Sequence, residues 1–143
     1  MRKKLLSLKN KSIIVTGGAG FIGSHLVDEL INEKPAKLII IDYIFKGQSN
    51  INNLSQAKKN FSRLKLYTDD LTDYKKIKRI LAKENPDVVF DLATIPLPTS
   101  LIKPYWTCDT MLKIILNLCE LQREGLFKTL IHLSSPEACG SAQ

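Results

Sequence analysis

Eight residues near the start of the chain, Thr16-Gly17-Gly18-Ala19-Gly20-Phe21-Ile22-Gly23, have the side-chain sizes and spacing that suit a bound phosphate. They satisfy G-x-G-x-x-G through Gly18, Gly20 and Gly23, and G-x-x-G-x-x-G through Gly17, Gly20 and Gly23. The glycines permit a tight turn and let the backbone approach a pyrophosphate. A helix starting at Phe21 would aim free N–H groups and its positive dipole end at the anion. Gly23 would let that helix pack on the preceding strand. Asp42 follows Gly23 by 19 residues, near the ~20 at which a carboxylate meets the adenosine ribose of a dinucleotide. Its charge would repel a 2′-phosphate, and only Lys46 stands nearby, with no Arg. NAD is therefore expected over NADP.

The elements that must position this loop alternate along the chain. Apolar runs predict strands at 11–16, 38–42, 64–68, 87–92 and 128–133, nearly unbroken as in a parallel sheet covered on both faces. Helices are predicted over about 21–33, 51–59, 74–84 and 107–123. Asn85-Pro86 and Gly125 stop the last two, and a Pro-rich loop (Pro96, Pro98, Pro104) precedes the longest. Strands alternating with helices mean βαβ units, hence an α/β, Rossmann-type doubly wound parallel sheet in one domain over 1–143.

Composition narrows the function classes. Hydrophobic residues make up 44% and charged residues 24%, an ordinary globular balance. No run approaches the ~20 apolar residues that cross a bilayer, so no membrane partner is expected. Ser7, Lys9, Asn10 and Lys11 break the basic, apolar opening before it could form a leader. The net charge of +7 is concentrated at 2–11 and at 75–83. In the second run Ile77, Ile80 and Leu81 recur at helical spacing, so its lysines read as a solvated face and no nucleic-acid partner is expected. The three cysteines, Cys108, Cys119 and Cys139, have no metal-ligand spacing. They read as reduced, mostly buried thiols of a cytoplasmic protein, and no metal is expected.

Thr16–Leu26, TGGAGFIGSHL, resembles the opening of the extended short-chain dehydrogenases/reductases, the superfamily of NAD-dependent nucleotide-sugar epimerases, dehydratases and decarboxylases. Further motifs follow in the family's order. Asp42-Tyr43 is similar to its acidic residue and neighbour at the adenosine. Asp69–Asp73 resembles "D-[IL]-x-D", which implies that Asp70 and Leu71 lie beside the adenine. Asp87–Thr94, DVVFDLAT, resembles "DVVFHLAA", placing Leu92, Ala93 and Thr94 along the cofactor's phosphate–ribose region. Ser100–Pro104 is similar to "S-x-x-x-P", and Ser134–Gly140 to "S-[ST]-x-E-V-Y-G". The resemblance implies strand order 3-2-1-4-5 and a nucleotide-sugar substrate for the full-length enzyme. Ser135 would bond the sugar oxygen being oxidised or reduced, and Glu137 would act as an acid/base or orienting group near the ring. Asp91 and Thr94 depart from "HLAA", Cys139 from "VYG", and 109–113 from the family's Asn-Val-x-Gly-Thr.

The family's general base is the Tyr of a Y-x-x-x-K pair that follows "S-[ST]-x-E-V-Y-G". Here the one such spacing, Tyr74…Lys78, precedes Ser135 and lies on the basic helix, so it is read as coincidental. The chain is thus expected to be the NAD-binding part of such an enzyme, truncated after the fifth strand and inactive alone. Its uncovered edge strand is expected to favour a homo-oligomer. The alternative is a non-catalytic NAD-binding interaction module.

Overall fold

Five apolar segments become strands because nearly every side chain in them can be buried on one of two faces. The computed structural model describes residues 7–44 and 49–135. In it β1 (Ser12–Thr16), β2 (Lys37–Ile41), β3 (Leu64–Tyr67), β4 (Val88–Asp91) and β5 (Thr129–His132) form one parallel sheet in the order β3-β2-β1-β4-β5. Ile13, Val15, Leu38, Ile40, Val88 and Phe90 pack toward α1 (Phe21–Asn32) and α2 (Ser55–Asn60). Ile14, Ile39, Ile41 and Val89 pack toward α3 (Tyr74–Glu84) and α5 (Pro104–Arg123). Each fully buried aliphatic side chain contributes about 1.5–3 kcal/mol, so this two-sided burial, rather than strand propensity, decides the fold.

The chain winds in opposite directions from β1 and β4. The carboxyl ends of these two neighbouring strands therefore open a crevice at the switch point. The register sets Ile41, Thr16, Asp91 and His132 in one row across β2, β1, β4 and β5 at that end.

On α3, Ile77, Ile80 and Leu81 are buried, while Lys75, Lys76, Lys78, Arg79 and Lys83 are exposed, as their spacing predicts. Asp73 caps its start by accepting the Lys76 N–H, and Asn85 ends it in the left-handed region. At the opposite end of the sheet Glu84 is 1% exposed. Its carboxylate pairs with Lys37 and Lys65 and accepts the Tyr67 hydroxyl at 2.7 Å. These partners outweigh the burial that opposes ionisation and hold its pKa down to about 2, while the same contact pushes the Tyr67 phenol up to about 12.

Several expectations need correction. The Pro-rich stretch is not a loop: α4 spans Leu97–Ile102, and the long helix begins at Pro104 rather than near 107. Proline is tolerated in a first helical turn, where its missing N–H would have no partner anyway. The predicted 51–59 helix is a 3₁₀ turn, Ile51–Leu54, followed by α2. Asp42 lies one residue beyond β2 rather than ending it. Cys108 and Cys119 are exposed, not buried, and Cys139 lies outside the described residues. Among the described residues no helix is long and apolar enough to cross a membrane, and no group of His, Cys, Asp or Glu is placed to hold a metal ion.

Candidate functional site: a dinucleotide cradle

The Gly17–Gly23 loop leaves the buried end of β1 and enters α1 without a capping side chain on Gly20. The first N–H groups of a helix have no intrahelical acceptor, so those of α1 face outward, beside the exposed Phe21 and Ile22. Three loop glycines are crowded by the protein itself, and a Cβ on Gly18 would lie 2.8 Å from Cγ2 of the buried Ile40. Gly17 sits at φ +66°, and a Cβ there would lie 2.9 Å from the Leu92 carbonyl carbon. A Cβ on Gly23 would come within 2.1 Å of the Gly17 oxygen. Gly20 differs: a Cβ there meets only the Gly17 oxygen, at 3.2 Å. The protein therefore crowds Gly20 least among the four loop glycines, although a Cβ there would still press on the Gly17 oxygen.

Side chains from other elements hold the loop. Asp42, 5% exposed, accepts the Ala19 N–H through Oδ2 at 2.9 Å. The Ala19 carbonyl accepts from the Asn50 N–H at 3.1 Å and from Asn53 Nδ2 at 2.8 Å. The β4 side is tied to β1 by Thr16, whose hydroxyl donates to Asp91 Oδ1 at 2.5 Å. Thr16 Oγ1 accepts from the N–H groups of Leu92 and Ala93 at 3.2 and 3.3 Å. Asp91 Oδ2 in turn lies 2.8 Å from His132 Nδ1.

The structure thus brings Gly17, Gly20, Phe21, Ile22, Gly23, Asp42, Leu92 and Ala93 together around one crevice. Thr94 is exposed beside it, and Tyr43, next to Asp42, is about half exposed. Asp70 is engaged in the turn after β3, where its Oδ1 accepts both the N–H and the hydroxyl of Thr72. Leu71 is buried in the core, its carbonyl accepting from Asn117 Nδ2. Ser135 is exposed just past the carboxyl end of β5, and Glu137 lies outside the described residues. Tyr74 and Lys78 are engaged elsewhere: the phenol donates to Glu124 at 2.7 Å and Lys78 pairs with the same carboxylate at 2.6 Å. That bond raises the phenol's pKa, the wrong direction for a base. Sequence reasoning missed Asn50, Asn53 and the Asp91–His132 contact. The signal available for the last was a polar residue at the end of each of two apolar strands.

A doubly wound parallel sheet with a glycine turn at the switch point and a carboxylate just after the next strand is a Rossmann-type nucleotide-binding domain. Residues 14–143 match the family model described as GDP-mannose 4,6 dehydratase; the chain belongs to this family of extended short-chain dehydrogenases/reductases. It is 32% identical over 140 residues to dTDP-glucose 4,6-dehydratase of Escherichia coli, covering 90% of this chain and 38% of that protein. It is 33% identical over 123 residues to a putative UDP-glucose 4-epimerase of Methanocaldococcus jannaschii, covering 86% and 37%. The chain therefore spans well under half the length of these relatives. Among solved structures, UDP-glucose 4-epimerase from Bifidobacterium longum in complex with NAD+ and UDP superposes with a TM-score of 0.79 at 30% identity. That match covers 90% of this chain and 38% of that one. The NAD complex of dTDP-glucose 4,6-dehydratase from Bacillus anthracis superposes at 0.74 with 25% identity, covering 92% and 39%.

Proposed function

We propose that these residues form the NAD site of a nucleotide-sugar epimerase, dehydratase or decarboxylase. The observation that carries this reading is the glycine loop itself, with Gly20 its least crowded position, set between uncapped α1 N–H groups and the Asp42 carboxylate. When bound, NAD would accept and return a hydride at a sugar carbon. The chain's own residues bind and orient. The α1 N–H groups offer donors to the pyrophosphate. Asp42 uses one oxygen to hold Ala19 and offers its carboxylate to the ribose hydroxyls, disfavouring a 2′-phosphate. Asp70, Leu71 and Tyr43 are proposed for the adenine side, and Leu92, Ala93 and Thr94 for the β4 wall. Ser135 is proposed to hydrogen-bond the reacting sugar oxygen, and Glu137 to act near the ring.

Hydride transfer also needs a base for the hydroxyl proton. With Tyr74 and Lys78 both bound to Glu124, the 143 residues by themselves are proposed to bind NAD without turning over a nucleotide sugar. Calorimetric titration of NAD and NADP against the wild type and Gly20→Val tests the reading. NAD is expected to bind more tightly than NADP, and the variant to bind neither. Failure of the folded wild type to bind either dinucleotide overturns it.

A further inference from the structure

We infer that His132 is a positioning residue of the dinucleotide site, acting through Asp91 and Thr16, and that its ionisation sets cofactor affinity. The inference rests on the NAD reading above. Asp91 is 1% exposed and is paired in register with Thr16, the residue immediately before Gly17. Its two oxygens are divided between Thr16 Oγ1 and His132 Nδ1. The Thr16 hydroxyl spends its one proton on Asp91, which frees both lone pairs for the Leu92 and Ala93 N–H groups. One hydrogen-bonded chain therefore runs from an imidazole on β5 to both walls of the cradle.

The charge on this chain depends on His132. An ionised carboxylate only accepts hydrogen bonds, so Nδ1 is the donor to Asp91 and Nε2 is left facing away from it. The ring is 43% exposed and lines a cleft with Cys108, Met111, Leu112 and Ile115 of α5. The titratable groups facing it among the described residues are Asp91 from β4 and Cys108 from α5. Among the described residues His132 is also the one ion-pairing partner of Asp91. With the imidazole protonated, the pair is neutral. With it neutral, a buried negative charge remains directly behind the loop that must receive an anionic pyrophosphate, and Coulomb repulsion in the poorly screened interior opposes binding. By linkage, bound NAD must favour the imidazolium to the same extent.

The test measures the NAD dissociation constant from about pH 5.5 to about pH 8 for the wild type, His132→Gln, and Asp91→Asn combined with His132→Gln. NMR of the His132 ring with and without NAD accompanies it. Wild-type affinity is expected to weaken about three- to tenfold as pH rises, and the His132 titration to move to higher pH with NAD bound. His132→Gln is expected to show no pH slope and to stay near the weak limit, and the double variant to regain affinity without a slope. The chain's other histidine, His25, lies edge-on to Phe21 on α1, and its Gln variant is expected to keep the wild-type slope. A pH-independent wild-type affinity, an unmoved His132 titration, or a slope that follows His25 overturns the inference while leaving the NAD reading intact. A folded wild type that binds no NAD at any pH overturns both.

Discussion

The Asp42 carboxylate accepts the Ala19 N–H at 2.9 Å, joining the residue after β2 to the middle of the glycine loop. A carboxylate whose expected role is to recognise the ribose thus also shapes the turn that receives the phosphates. Specificity is thus proposed for the side chain that also holds the loop's geometry.

Replacing Asp42 is therefore expected to affect both. Asp42→Ala should weaken NAD binding at least tenfold and narrow the preference over NADP, because a charge-assisted hydrogen bond contributes about 1.5–3 kcal/mol. It should also cost about 1–3 kcal/mol of stability, since the Ala19 N–H loses its buried acceptor. Titration of both dinucleotides and a denaturant melt read the two effects. An unchanged NAD/NADP ratio would remove Asp42 from the ribose.

The loop glycines should separate folding from binding. Gly23→Ala drives a methyl to 2.1 Å from the Gly17 oxygen, so the loop must deform. Loss of about 2 kcal/mol or more is expected together with loss of binding. Gly20→Ala meets one atom at 3.2 Å. Its melting temperature should fall less than that of Gly23→Ala while NAD binding is lost, because the ligand contests the same space. Equal destabilisation by the two substitutions would contradict the cradle.

Stability should depend on Glu84 at both ends of the pH scale. Its folded pKa of about 2 lies below the ordinary 4.5, so its contribution is full above about pH 4.5 and is lost as pH falls toward 2. The Tyr67 phenol, pushed up to about 12 from 10.0, contributes below pH 10 and loses that contribution as pH rises through 12. Glu84→Gln should destabilise by about 1–3 kcal/mol near neutrality, through loss of its charge-assisted hydrogen bonds to Tyr67, Lys37 and Lys65, and should flatten the acid limb. Urea melts across pH measure this, and an unchanged acid limb would show that Glu84 is not the titrating group.

Tyr74→Phe is expected to leave NAD affinity unchanged, and any NAD-dependent turnover of a nucleotide sugar unchanged as well. Its hydroxyl is committed to Glu124 on the solvent side of α3 and α5. Activity abolished by this substitution would return Tyr74 and Lys78 to the chemistry.

What the sequence by itself determined was local. The glycine spacing, the apolar runs and the stops at Asn85-Pro86 and Gly125 each follow from backbone sterics or periodicity over a few residues. They suffice for the α/β class and the phosphate loop. Composition misled where local rules are silent. Pro98 and Pro104 read as loop although each lies in the first turn of a helix, and the exposed Cys108 and Cys119 read as core because cysteine is usually buried. Tertiary structure decided which distant polar groups meet. Asp91 stands as a departure from a motif until the register of β4 and β5 sets it opposite His132, 41 residues away. Glu84 is one acidic residue on a basic helix until β2 and β3 bring Lys37 and Lys65 to it. The reason is physical: a buried carboxylate is tolerated only with partners, and strand pairing, which no local pattern encodes, selects them.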